Sequence, residues 1–101
     1  MSALVEIFIK PNCEKSIQTL DMISEWGNID EVIVVGNLDE YTKNALEKEI
    51  IRYQPNEVSY ISEEEFGEEE LPQVVFDQSL SLNYEELVGA YEEEDLDQYF
   101  T

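Results

Sequence analysis

The feature that most constrains the fold of this chain is the alternation of β-branched runs with apolar stripes at helical spacing. The runs 3–9 and 30–35 are rich in Val and Ile, as is typical of buried strands. Each run is followed by apolar residues that recur every three or four positions, over 13–26 and 38–53, which indicates an amphipathic helix. This order predicts two parallel strands joined by a right-handed crossover.

The second half of the chain predicts an antiparallel hairpin and a final helix. A short extended segment at Val58–Ile61 and an acidic loop at 62–70 precede a strand at 71–76. The acidic loop is expected to be solvated or to form a frayed helical turn around Gly67. After a turn comes a short hairpin partner, and Asn83 is placed to cap the last helix. A chain of 101 residues has room for one core. We therefore predict a single α/β domain over residues 1–101, with a mixed sheet and the order β-α-β-α-β-β-α.

The charge of the chain is strongly negative and unevenly distributed. The net charge is −20, all five Lys and Arg residues lie within positions 1–54, and positions 55–101 carry fifteen acidic residues and no basic one. Binding to nucleic acid or to an anionic membrane surface depends on Lys and Arg. The sequence therefore disfavours direct contact with either and favours a basic protein partner.

The Cys and His content excludes two kinds of structural site. The chain has one Cys and no His, so an intrachain disulfide and a zinc site both lack ligands. The acidic runs lack the D-x-D-x-D-G spacing of a calcium loop, and we expect no metal site. Because the N-terminal residues show neither a secretory signal nor a membrane-spanning stretch, we expect a cytoplasmic protein whose thiol stays reduced.

Cys13 lies between the first strand and the first helix, where two interpretations are open. Unpaired backbone N–H groups and the helix dipole favour a thiolate at such a position. Lys10 and Lys15 add positive charge and Glu14 opposes it, so we expect a lowered thiol pKa. Alternatively Cys13 is a small apolar residue in a core, which is the more frequent role of a lone Cys.

Two segments resemble the glutaredoxins, a family of the thioredoxin superfamily. IFIKPNCEKSIQTL (7–20) is similar to the active-site segment in which F-x-K-P-x precedes C-P-Y-C, or the one-thiol form C-x-x-S, and an apolar helix. LPQVVFDQSLSLNYEEL (71–87) is similar, without a gap, to T-V-P-Q-V-F-I-D-G-K-x-I-G-G-Y-D-E-L. The resemblance implies a thioredoxin fold. Small acidic proteins of this kind are also encoded by phages, so the resemblance is consistent with a phage-encoded chain.

The resemblance implies a role for each matched residue. Cys13 falls on the nucleophile, Ser16 on the resolving position and Lys10 on the basic residue near the thiol. Pro72 falls on a proline with a cis peptide bond, an uncommon feature, whose loop faces the thiol. The backbone of Leu71 is expected to pair with glutathione or with an incoming peptide. No cofactor is certain, and glutathione is the one that the resemblance implies.

The sequence departs from the glutaredoxin pattern at three places. Ser16 replaces the second Cys, so only one-thiol chemistry with an outside thiol is open to the chain. Leu82 and Asn83 replace the Gly-Gly pair that lets the backbone approach glutathione, and a leucine side chain there can obstruct the groove. Glu14 and Lys15 replace the Gly-Phe of the members that share an iron–sulfur cluster, which disfavours that role.

Two functional hypotheses follow from these residues. In the first, Cys13 forms a mixed disulfide with glutathione or with a protein thiol, assisted by Lys10 and Lys15. In the second, the redox chemistry is lost and the chain is an adaptor or inhibitor of a basic protein, including one that binds nucleic acid through a groove that the acids would occupy. The partner-binding residues of this second hypothesis are the glutamates of the acidic loop: Glu63, Glu64, Glu65, Glu68, Glu69 and Glu70.

Overall fold

The computed structural model describes residues 4–67 and 69–99. The strands and helices are, in chain order, β1 (Val5–Ile9), α1 (Glu14–Trp26), β2 (Glu31–Val35), α2 (Glu40–Ile50), β3 (Glu57–Ile61), α3 (Glu63–Phe66), β4 (Gln73–Phe76), β5 (Leu80–Asn83) and α4 (Tyr84–Glu92). A 3₁₀ turn follows α2 at Ile51–Tyr53, and another follows α4 at Leu96–Tyr99.

The sheet is mixed, as the order of elements predicts, but its parallel part is larger than expected. Its strand order is β3-β2-β1-β4-β5, with β1, β2 and β3 parallel and β4 and β5 antiparallel to their neighbours. The expected pair of parallel strands is therefore a set of three. The third is Val58–Ile61, extended by Glu57, which pairs with β2 from Glu31↔Glu57 to Val35↔Ile61.

One face of the sheet carries α1, α2 and α4. Both parallel crossovers are right-handed in such units, which places α1 and α2 on the same side. The Tyr53 hydroxyl, just after α2, donates to Asp21 of α1 at 2.6 Å, and the Tyr91 hydroxyl of α4 donates to Glu25 of α1. Helix α1 therefore lies between α2 and α4.

The hydrophobic core lies between this helical layer and the sheet. Alternate residues of a strand point to opposite faces, and the fully buried residues of β1 are Val5, Ile7 and Ile9. They pack with Leu20 of α1 and Leu87 of α4 in one cluster. The closing segment of the chain joins the same cluster through Leu96, so it docks as a tail rather than extending α4.

On the opposite face of the sheet, the acidic segment packs near the carboxyl end of β1. Helix α3 is a single turn in which the Ser62 hydroxyl accepts from the Glu65 N–H at 3.2 Å, and it ends at Gly67, whose φ is 92°. The Phe66 ring lies 5.3 Å from the ring of Phe8 in β1. Part of the expected acidic loop is therefore a capped helical turn that packs on the sheet.

Candidate functional site

Cys13 is held at the start of α1 by backbone geometry. It is the N-cap of α1, in extended conformation, and Asn12 before it has a φ of 55°. The Cys13 carbonyl accepts from the N–H groups of Ser16 at 3.1 Å and Ile17 at 3.3 Å. The side chain makes no cap bond and is partly exposed, which leaves the sulfur available to a reagent.

Ser16 connects the thiol to the loop that precedes it. It is fully buried, its Oγ accepts from the Lys10 N–H at 3.2 Å, and its hydroxyl is one of the groups that lower the pKa of the Cys13 thiol. A serine hydroxyl can donate once and accept at the same time. The residue at the predicted resolving position therefore fixes the chain just after β1 and acts on the pKa of Cys13.

The thiol of Cys13 has a lowered pKa. Partial burial acts to raise the pKa, but the hydroxyl and backbone N–H of Ser16, the positive charge of Lys10 and the backbone N–H of Lys15 together lower it below the usual 9.0. These groups favour the thiolate because their N–H and O–H dipoles, or the charge of Lys10, stabilise a negative charge on the sulfur. The expected lowered pKa is confirmed, and Cys13 is not a buried core residue.

Lys15 acts on the thiol through its backbone, whereas its side chain turns toward α4. Its Nζ lies 5.3 Å from the centre of the Tyr84 ring, a cation–π contact. The Tyr84 hydroxyl in turn donates to Gln18 of α1. The Lys15 ammonium group is thus placed at the junction of α1 and α4.

Leu71 and Pro72 lie at the same end of the sheet as Cys13. β1 and β4 are antiparallel with Phe8 opposite Gln73, so the residues just after β1 adjoin those just before β4. The Leu71–Pro72 peptide bond is cis, as the resemblance implies.

Three clefts that share Lys10 open beside this end of the sheet; two are named here, and the third, of about 570 Å³, lies against Glu63 and Phe66 of α3. The first, here called the Pro72 cleft, has about 340 Å³ and is lined by Lys10, Lys15, Glu69, Glu70, Leu71, Pro72, Tyr84 and Glu85. The second, the α1–α2 cleft, has about 320 Å³ and is lined by Lys10, Pro11, Asn12, Cys13, Glu14, Ile17, Thr42, Ala45, Leu46 and Glu49. Lys10 lines both, and Cys13 lines the second. The structure therefore brings Lys10 and Lys15 together with Leu71 and Pro72, while Cys13 opens toward α2.

Leu82 and Asn83 have roles other than lining a groove. Leu82 is 6% exposed and stands opposite Val74, in the core cluster under the helices. This register turns its side chain inward, so the structure places Leu82 in the core and not across the groove. Asn83 caps α4, because its side chain accepts from the Glu86 N–H at 2.8 Å and Glu86 bonds back to the Asn83 N–H.

The glutamates of the acidic segment fall into two groups. Glu63, Glu64 and Glu65 are exposed on α3, whereas Glu69 and Glu70 are exposed at the Pro72 cleft. Glu68 lies outside the described residues. Glu63 and Glu69 share a third cleft with Lys10, Pro11 and Asn12, so members of both groups adjoin the residues before the thiol.

Sequence reasoning missed the acids that α2 and α4 bring to the site. Glu49 lines the α1–α2 cleft and Glu85 lines the Pro72 cleft. Both are far from Cys13 in the chain, and among 25 acidic residues no local pattern distinguishes them. Within residues 4–67 and 69–99, no group of three or more Cys, Asp or Glu side chains is arranged to hold a metal ion.

No family model, curated protein or solved structure matches this chain. Among the helices of the described residues, none has the length and apolar character needed to cross a bilayer.

Proposed function

We propose that this chain is a one-thiol redox protein of thioredoxin-like fold, in which Cys13 forms a mixed disulfide with glutathione or with a protein thiol. The observation that carries the proposal is the environment of the sulfur. Cys13 is partly exposed at the start of a helix, and Ser16, Lys10 and Lys15 lower its pKa. A thiolate is the nucleophilic form of cysteine.

The fold supports this proposal through the order of its elements. The units β1-α1-β2 and β4-β5-α4 follow the order that the glutaredoxin-like segments imply, with Cys13 after the first strand and Pro72 before β4. The strand β3 is not part of that order and lies at the edge of the sheet next to β2. The neighbours of β1 are therefore still β2 and β4.

The chemistry is a thiol–disulfide exchange with a partner of the form R–S–S–R. The Cys13 thiolate attacks one sulfur, a bond forms between Cys13 and that sulfur, and the other half leaves as a thiolate with the electron pair and takes a proton from water. Because the chain has no second Cys, the mixed disulfide is released only by an outside thiol, which becomes oxidised in turn.

The test is the pH dependence of Cys13 alkylation, followed by exchange with glutathione disulfide and with the neutral hydroxyethyl disulfide. We expect alkylation to rise at a lower pH than for free cysteine and an adduct on Cys13 to appear by intact-mass measurement. The control is the Cys13→Ser protein, which forms no adduct. A thiol that titrates like free cysteine and exchanges no faster would overturn the proposal.

A second candidate function is supported by the exposed acids of α3. Glu63, Glu64 and Glu65 face solvent, in a half of the chain that has no basic residue, which favours a basic protein partner for an adaptor or inhibitor. Such binding should persist in Cys13→Ser and weaken when the three glutamates become Gln. Binding to a basic probe such as polylysine that is lost in Cys13→Ser, or unaffected by the Gln changes, would contradict it.

A further inference from the structure

We propose that the disulfide on which Cys13 acts is carried by a positively charged stretch of protein, with Lys or Arg beside the reacting Cys, rather than by glutathione. This inference rests on the proposed function and names its substrate class. The juxtaposition that carries it is a thiol that lines the α1–α2 cleft, next to a second cleft joined to it at Lys10, with more carboxylates than ammonium groups in each.

The α1–α2 cleft has the composition that suits a long basic side chain. Its walls include the apolar groups of Ile17, Ala45 and Leu46, and its charged residues beside Lys10 are Glu14 and Glu49. Lys and Arg bury their methylene stems along apolar surface and keep the charged end in a polar environment. A basic residue next to a Cys bound at Cys13 can therefore lie in this cleft with its charge at the carboxylates.

The Pro72 cleft, which shares Lys10 with the α1–α2 cleft, has a similar charge pattern. Glu69, Glu70 and Glu85 line it, against Lys10 and Lys15. Lys15 is occupied by its contact with Tyr84, and Lys10 contributes its charge to the thiol itself. An incoming ligand consequently meets more negative than positive charge in both clefts.

This distribution acts against glutathione, whose disulfide is an anion. Charges within a Debye length of about 8 Å at physiological salt are felt by the ligand, and Glu14 and Glu49 line the same cleft as Cys13. Fields of one sign in a cleft change association rates by about 10- to 1000-fold. The same carboxylates that repel an anionic disulfide attract a cationic one, so selectivity operates mainly on the rate of encounter.

The experiment compares three capped peptides, Lys-Cys-Lys, Gln-Cys-Gln and Glu-Cys-Glu, each as its mixed disulfide with 2-thiopyridine. Cys13 attacks the peptide sulfur, forms a disulfide with the peptide and releases pyridine-2-thione, whose absorbance gives the rate. The leaving group is the same in all three, and each rate is divided by that of 2-mercaptoethanol to remove intrinsic differences. We expect the Lys peptide to exceed the Glu peptide by about tenfold or more at low salt, and the ratio to approach one near 1 M salt, where the Debye length is about 3 Å.

Two double variants separate the clefts from the overall charge of the protein. Glu49→Gln with Glu70→Gln removes one carboxylate from each cleft. The matched control, Glu92→Gln with Glu93→Gln, removes the same charge at the end of α4, about 12 Å along the helix axis from Tyr84. The cleft variant should lower the ratio of the Lys to the Glu peptide severalfold more than the control does.

The outcomes distinguish this inference from the proposed function. One outcome is that the Gln peptide reacts faster with the protein than with 2-mercaptoethanol, while the Lys and Glu peptides give equal normalised rates. The inference is then overturned and the proposed function stands. An equal loss of selectivity in the two double variants overturns the assignment to the clefts. If none of the three peptides reacts faster with the protein than with 2-mercaptoethanol, the proposed function fails and the inference fails with it.

Discussion

The pKa of an ionisable side chain is shifted in opposite directions at the two ends of β1. Beyond its carboxyl end, the pKa of the Cys13 thiol is lowered by Ser16, Lys10 and Lys15. Near its amino end, partial burial raises the pKa of the Glu6 carboxyl, and the neighbouring carboxylates of Glu31 and Asp30 raise it further. The thiolate is supported by donors, whereas the carboxylate is opposed by like charges.

The surroundings of Glu6 show where this difference comes from. Glu6, Glu31 and Glu57 stand side by side on three parallel strands, away from the helices. Ser59 donates to Glu31, and the Val5 N–H donates to Asp30 at 2.7 Å, so these two neighbours keep donors of their own. The pKa values at the two ends of β1 are therefore shifted by different causes, donors and a positive charge at Cys13 and burial with like charges at Glu6.

The largest expected effect is at the thiol end, from Ser16→Ala. The Lys10 N–H loses its acceptor and Cys13 loses a donor, so we expect the free energy of unfolding to fall by about 1–2 kcal/mol and the Cys13 pKa to rise. Urea denaturation and the pH profile of alkylation measure the two effects. The matched control on the same helix is Ser24→Ala, where an exposed hydroxyl donates to the Asp21 carbonyl. A Ser16→Ala protein that matches this control in both measurements would show that Ser16 does not support the thiolate.

A smaller effect of opposite sign is expected at the other end, from Glu6→Gln. Because the folded pKa of Glu6 lies above its usual 4.5, the folded state holds this proton more strongly than the unfolded state, and wild-type stability falls as the pH rises through that range. The variant removes this loss. We expect it to be more stable by roughly 0.2–1 kcal/mol near neutral pH and equal to wild type at about pH 3, where Glu6 is protonated in both states.

The measurement for Glu6→Gln is urea denaturation at the two pH values, with the exposed Glu92→Gln as the control. Removal of any negative charge from so acidic a chain reduces general repulsion, and the control measures that part. Equal stabilisation by the two changes at neutral pH would remove the distinction drawn between the two ends of β1.

The smallest effects distinguish the two lysines at the thiol end. Lys10→Gln should raise the Cys13 pKa, since the Lys10 charge is one of the causes that lower it, and added salt should reduce the difference because it screens an exposed charge. Lys15→Gln should raise the pKa less, because Lys15 acts through its backbone N–H and its ammonium group contacts Tyr84. Alkylation profiles at low and high salt test this order, and a larger rise for Lys15→Gln would reverse the assignment.

Local patterns in the sequence were sufficient for most of the elements. The β-branched runs, the helical stripes and the cap at Asn83 each depend on residues within a few positions, and they appear where expected. The strand β3 was expected only as an extended segment, because an edge strand with residues of mixed exposure lacks a strong pattern. Its pairing with β2 depends on a neighbour that local sequence does not identify.

The features of the candidate site that depend on neighbouring residues in the chain could be predicted. Those that depend on how the strands pair could not. The position of Cys13 after a strand and at a helix start follows from neighbouring residues, and so does its lowered pKa. The inward position of Leu82 depends on its pairing with Val74, which a shift of one residue would reverse. The contact of Lys15 with Tyr84 joins residues from the two halves of the chain, and no local pattern could indicate it.

Two tyrosine hydroxyls that link helix α1 to its neighbours remain hydrogen-bond donors to a higher pH than an ordinary tyrosine. The pKa of Tyr53 is raised to about 12 by partial burial and by its bond to Asp21, and the pKa of Tyr91 is raised by its bond to Glu25. These links stay protonated over the whole interval in which Cys13 changes from thiol to thiolate. The Cys13 thiol can therefore lose its proton as the pH rises while these two tyrosine hydrogen bonds stay intact.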